Sequence, residues 1–223
     1  MMKQDTMNTI KIGDKLTLSE DAVATANIYG MARHTNNRKE GVALLINCGR
    51  NGNAEYITPE TMQNYDCLGA RSEFAFAEAT MMDEESWGII KAIGVQSASK
   101  GMDDGDGYLY KNGYKLSVDV KSTRGFRSNM LITQNKLFNE STADIFVLLI
   151  EDEEAQGKFT FAGAIDRKTL EHEAKRGSYP VKSATTWWVH KSKLYQLEDA
   201  MDAAIHSIQD IYIDNLMDQQ KGN

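Results

Sequence analysis

Proline is nearly absent from this sequence, with two in 223 residues, and no Pro-rich or Gly/Ser-rich tract marks a linker. There is no fixed-period repeat either, so a single compact domain over residues 1–223 is the expectation. Cysteine is as scarce. Cys48 and Cys67 stand alone, which excludes a disulfide framework and fits a reducing, intracellular setting. The four histidines, His34, His172, His190 and His206, lack the spacing of zinc ligands. Long apolar runs are missing too: Ala143 to Ile150, with Asp144 inside it, is far too short to cross a bilayer. The opening MMKQDTMNTIKIGDK is polar and lacks the apolar core of a signal peptide. A cytoplasmic protein with no membrane contact is expected.

Positive charge is also in deficit. Lys and Arg number 25 against 32 Asp and Glu, for a net charge of −7. That excludes a protein that coats nucleic acid by charge alone. It leaves room for a nucleic-acid enzyme, because carboxylates that bind a cation add negative charge which the cation offsets. The basic residues are also clustered. Lys111, Lys115, Lys121, Arg124 and Arg127 lie close together, and a second group runs from Arg167 to Lys193; as solvated faces both would be unremarkable.

What the chain does contain is a mixture of helix and strand signals. Ser19 is a plausible N-cap for a helix reaching about His34, with Glu20 and Asp21 in its first turn. Val42 to Asn47 reads as a short buried strand, followed by a turn at Arg50 to Asn53. Thr58-Pro59-Glu60 starts a helix, and a second, stronger helix is predicted over Leu68 to Met82. Gly88 to Val95, Ala143 to Ile150 and Phe159 to Ile165 are strand candidates, the last two joined by the polar loop EDEEAQG. Leu194, Leu197, Met201, Ala204, Ile208 and Ile211 recur at helical spacing and predict an amphipathic C-terminal helix that packs on a sheet, with a dimer seam as the other option. The expected class is mixed α/β with a central sheet, antiparallel in part.

Tyr108 to Thr123 is the clearest hairpin. Asn112-Gly113 is the favoured dipeptide of a two-residue type I′ turn, and alternating segments flank it. With that turn Asp106 faces Asp119, and Asp104 would face Lys121 if the ladder runs so far. One face then carries Asp104, Asp106, Ser117, Asp119 and Lys121, while Leu109, Leu116, Val118 and Val120 belong to the core. Two aspartates directly across a ladder repel each other unless something compensates. A hydrated Mg²⁺ does so naturally, since it takes a couple of carboxylates and keeps positions open for phosphate and water. Lys121 could orient or deprotonate a water and offset charge building on a phosphate. The bland reading is a solvated face with a local salt bridge. A calcium loop fails, because setting Gly107 at position six of an EF-hand puts Met102 at position one.

A further carboxylate sits oddly on the second helix. At about 100° per residue, Glu73 falls inside the arc bounded by Phe74 and Phe76, with Glu78 at its edge. A carboxylate within an apolar stripe is costly unless it is paired or metal-bound. Arg71 and Arg124 are candidate partners; the metal site is the favoured destination, and the wheel leaves Glu78 open as the supplier instead.

A helical Glu, an Asp leading into a hairpin and Asp-x-Lys in the second strand together resemble the PD-(D/E)XK nuclease superfamily. GARSEFAFAEA, DGDGYLYKNGYKLSVDVKST and ADIFVLLI are similar to stretches of uncharacterised phage-encoded members. The resemblance covers about residues 68–170, leaving 1–67 as an N-terminal extension and about 194–219 as the C-terminal helix. It implies a restriction-endonuclease-like mixed central β-sheet flanked by helices. It also implies Glu73, Asp106, Asp119 and Lys121 as catalytic residues, with Mg²⁺ (Mn²⁺ substituting) held by Glu73, Asp106, Asp119 and the carbonyl of Val120. The substrate so implied is DNA, contacted along its backbone by Lys115, Arg124 and Arg127, cleaved by an endonuclease that leaves a 5′-phosphate. A homodimer would suit cleavage of both strands, and the location would be the host cytoplasm if the gene is a phage's. One departure is that no proline precedes the first Asp, so Asp103 and Asp104 compete with Asp106. Gln134 could parallel a glutamine of exonuclease-like branches, though a structural role suits it better. The rival expectation is a non-catalytic module that binds nucleic acid or protein on the same fold; an RNA-cleaving member is a third.

Overall fold

The structure is a computed structural model, and it describes residues 10–39, 46–48, 54–56, 59–80, 106–124, 130–134, 143–176 and 186–221. Its centre is a five-stranded mixed sheet. A short strand β1 (Lys15–Thr17) leads into helix α1 (Glu20–Lys39); β2 (Ile46–Cys48) and β3 (Ala54–Tyr56) form a small antiparallel pair. Helix α2 (Pro59–Thr80) precedes the hairpin of β4 (Gly107–Lys111) and β5 (Tyr114–Thr123). Then come β6 (Met130–Gln134), β7 (Ile145–Glu151), β8 (Lys158–Asp166) and the short helix α3 (Arg167–Glu173). Strands β9 (Lys175–Arg176) and β10 (Thr186–His190) precede the long helix α4 (Leu197–Lys221). The main sheet runs β1-β8-β7-β5-β4, with β5 and β7 parallel and every other pair antiparallel; β6, β10 and β9 make a second sheet.

The alternation along β7 explains how the layers are laid down. Ile145, Val147 and Leu149 join one apolar cluster with Leu116, Val118 and Val120 of β5, under α1, α2 and α4. Phe146 and Leu148 join the opposite cluster with Leu170 of α3, Val189 of β10 and Leu194. A strand covered on both faces reads as the continuous apolar run IFVLLI, as it does here. Helices therefore flank the sheet on both sides, and the fold class is mixed α/β as expected.

Several elements differ from the sequence-based expectation. The two helices predicted around Thr58 and Leu68 are one, Pro59–Thr80, because Leu68, Ala70, Phe74, Ala75 and Ala77 give it a continuous buried face that outweighs the helix penalty of Gly69. The C-terminal stripe ends early. Leu197, Met201, Ala204 and Ile205 are buried on the sheet and Ile208 packs against them, but Ile211 is 62% exposed and Leu194 precedes the helix. The first helix starts where Ser19 predicts, its Oγ accepting from Ala22 N at 3.2 Å, and runs on to Lys39. Ile46 and Asn47 of the predicted strand over Val42 to Asn47 lie in β2; its start, the Arg50 to Asn53 turn and the predicted strand Gly88 to Val95 lie outside the described residues. Among the described residues no helix is long and apolar enough to cross a membrane.

Candidate metal centre

The hairpin turn sets the register on which everything else depends. Asn112 and Gly113 both have positive φ, 52° and 80°, the type I′ signature, and Gly107 pairs with Val118 and Tyr108 with Ser117. Asp106 stands one residue before β4. Its N–H donates to Val118 O, and its Oδ2 accepts from Val120 N at 2.6 Å, so it is clasped to β5 on both sides of Asp119. Asp119 and Lys121 leave β5 on the face opposite Val118 and Val120, in register with Phe146 and Leu148 of β7. Asp119 is 2% exposed. The Lys121 ammonium lies 2.7 Å from its Oδ2, but off the line of a hydrogen bond, which leaves that buried oxygen without a hydrogen-bond partner.

Glu73 comes from α2. It is buried among the helix's apolar residues, and both its oxygens are taken by the guanidinium of Arg33 on α1, at 2.9 and 2.7 Å. Gly69 makes room for this fork: a Cβ there would stand 3.3 Å from Arg33 Nη1. Arg71 and Arg124, the partners suggested by sequence, turn instead to Glu151. Arg71 forms a buried bidentate pair with it (2.7 and 2.9 Å), while Arg124 lies 4.0 Å away and donates to Glu153 O. Glu78 is exposed, so Glu73 is the inward carboxylate of this helix.

The charges converge on Asp106. Burial, then the carboxylates of Glu73 and Asp119, push its proton affinity well above the usual carboxylate range, against the pull of Lys121 and the Val120 N–H. Burial works against the charge on Arg33, but the charge and hydrogen bonds of Glu73, with Asp106 and Asp66 further off, outweigh it and raise the guanidinium. Glu73, Asp119 and Lys121 thus all act on the charge of Asp106.

No family model, curated protein or solved structure matches this chain.

The site must then be judged on its own chemistry. Asp119 Oδ2, buried without a hydrogen bond, and Asp106, its proton affinity raised by burial and then by Glu73 and Asp119, are groups whose charge a hard divalent cation would offset. Among the described residues, however, no three such side chains stand together as a ligand set; Glu73 is paired with Arg33, and Lys121 lies beside Asp119. Val120 buries its side chain in the core and offers its N–H to Asp106. Lys115 shares the face of Asp119, its Nζ 3.7 Å from the centroid of the Tyr108 ring. Ser117 on the same face is bonded to Asp144, whose Oδ2 accepts from both Ser117 N and Oγ at 2.8 Å. Gln134 ends β6, paired with Thr186. Arg127, Asp103 and Asp104 lie outside the described residues. Arg33 is the functional candidate that sequence reasoning missed. Its signal was faint: nothing in the sequence says that the helix of Arg33 packs on the helix of Glu73.

Proposed function

We propose that this chain is a Mg²⁺-dependent DNA nuclease, an endonuclease on a restriction-endonuclease-like fold. The observation that carries the reading is the hairpin pair of buried aspartates, Asp106 bound through Oδ2 to Val120 N at 2.6 Å and Asp119 with the Lys121 ammonium 2.7 Å from its Oδ2. Glu73, Asp106 and Asp119 are the side chains that would hold Mg²⁺ or Mn²⁺, joined by the Val120 carbonyl. The ion supplies neutralisation of phosphodiester charge and acidifies water. Lys121, partly exposed beside Asp119, orients the attacking water and offsets charge building on the phosphate. Asp106 and Asp119, fixed by the ladder, keep that geometry without reorganisation at the moment of reaction. Lys115 on the same face, with Arg124 and Arg127, contacts the DNA backbone without reading sequence. The setting is cytoplasmic, a phage-infected host fits, and a homodimer would serve cuts in both strands.

The test is incubation with supercoiled plasmid and with single- and double-stranded DNA and RNA oligonucleotides, in Mg²⁺, Mn²⁺ or EDTA. Cleavage is expected with either metal, absent in EDTA, and reduced on the order of a hundredfold or more by Asp119→Ala or Lys121→Ala. Activity that survives these changes defeats the proposal, and cleavage of RNA alone moves it to ribonuclease. One observation favours a second reading, a non-catalytic binding module: the carboxylates are already paired with Arg33 and Lys121. Calorimetric titration separates the two, since a binding module takes up no Mn²⁺ at millimolar concentration.

A further inference from the structure

Two segments of the sequence, 121–139 and 175–193, run without an acidic residue. Together they hold nine of the chain's 25 Lys and Arg and none of its 32 Asp and Glu. The fold pairs them. Strand β6 comes from the first and β9 and β10 from the second, and the three make the second sheet, with β10 in the middle. Strand β6 also lies against β5 and β7, so this basic sheet adjoins the strand of Asp119 and Lys121 in a chain of net charge −7.

Alternation along β10 sorts its side chains. Trp187 and Val189 pack on the apolar cluster of Phe146 and Leu148, so Trp188 and His190 leave the strand on the other side. Trp188 is half-buried and stands opposite Lys175 of β9, whose exposed ammonium lies 5.4 Å from the centroid of the Trp188 ring. After His190 the chain turns at once. His190 Nδ1 accepts from Ser192 N at 3.2 Å and caps the short turn Lys191–Lys193, which sets two more exposed lysines at the end of the same strand. Lys193 pairs with Glu173 at 3.0 Å, while among the described residues Lys175 and Lys191 pair with no acid. A flat ring among ammonium groups suits a polyanion that itself carries flat rings. Duplex DNA keeps its bases stacked inside and would use the lysines alone. A single strand can lay an unpaired base on the ring and its phosphates on the lysines.

We infer that this sheet binds single-stranded DNA: a base stacks on Trp188, Lys175 and Lys191 take the neighbouring phosphates, and the strand is held next to β5. The choice of DNA rests on the nuclease reading above; the surface itself needs no metal.

Binding is therefore measured in EDTA with the full chain, from the anisotropy of a labelled oligothymidine of about 15 nucleotides and from quenching of tryptophan fluorescence. The wild type is expected to bind and be quenched, with a duplex of equal length at least tenfold weaker. Trp188→Ala should weaken binding tenfold or more. Trp188→Phe should keep most of the affinity and lose most of the quenching. Lys175→Ala and Lys191→Ala should each weaken binding several-fold and lower the slope of log affinity against log salt by about 0.7. Lys158→Ala, at an exposed lysine of β8 in the main sheet, should leave affinity as it is. Should Trp188→Ala fail to fold, Trp188→Phe and the lysine variants carry the test. Duplex bound as tightly as the single strand, quenching retained in Trp188→Phe, or a loss in Lys158→Ala equal to that in Lys175→Ala overturns the inference. Oligouridine bound in preference overturns the choice of DNA. Binding that stands while metal-dependent cleavage fails defeats the nuclease reading alone, and cleavage by a chain that does not hold oligothymidine defeats this inference alone.

Discussion

Asp106 is held where a carboxyl group would rather be neutral. Burial and two neighbouring carboxylates raise its proton affinity in the folded chain. The stability it contributes is therefore fully present below the pKa of the unfolded chain and is lost as pH rises through the higher, folded value. Asp106→Asn keeps an acceptor for the Val120 N–H while removing the charge. It is expected to melt higher than wild type near neutral pH, with the difference shrinking as the solution is acidified, and to abolish cleavage. Thermal melts across pH check the first expectation and plasmid cleavage the second. The same residue shows what the sequence could carry. Its place beside β5 followed from one dipeptide, Asn112-Gly113, because a two-residue turn sets the register that puts Gly107 opposite Val118. Arg33 had no such local rule, for its partner lies 40 positions away on another helix.

Elements were legible where a period or a cap spoke plainly. The strands β5, β7 and β8, the start of α1 and the C-terminal helix fall close to where their patterns put them. The short strands β1, β9 and β10 were not, since two to five residues carry no period and owe their form to the strands they pair with. The α1–α2 contact was hidden because its key residue is a glycine, which announces itself by what it lacks. With backbone only 2.4 Å from the site of any Cβ, Gly30→Val is expected to force the helices apart and destabilise the chain by about 2–4 kcal/mol, measured by urea unfolding. A second pairing deserves the same measurement. Breaking the buried Arg71–Glu151 fork with Arg71→Met would leave Glu151 with only Gly157 N and, 4.0 Å away, the half-exposed Arg124, and is expected to cost about 3 kcal/mol.

At the scale of the molecule, the core draws on both flanks of the hairpin region. Ile10, Leu16 and Ala26 on one side of the chain, and Leu197, Ala200, Met201 and Ile205 on the other, share one apolar cluster with β5 and β7. A fragment covering residues 68–170 would expose that face and is expected to show no cooperative urea transition, whereas the full chain shows one. The same architecture orders the events of folding. The β4–β5 hairpin closes on itself through a two-residue turn and forms locally, on the order of microseconds. The parallel β5–β7 pair and the docking of α2 need long stretches of chain to be brought together first, so they come later. By loop length alone, Glu73 is expected to reach Asp106 after the hairpin has closed, so that the repulsion Asp106 feels from it is met once apolar surface is already buried.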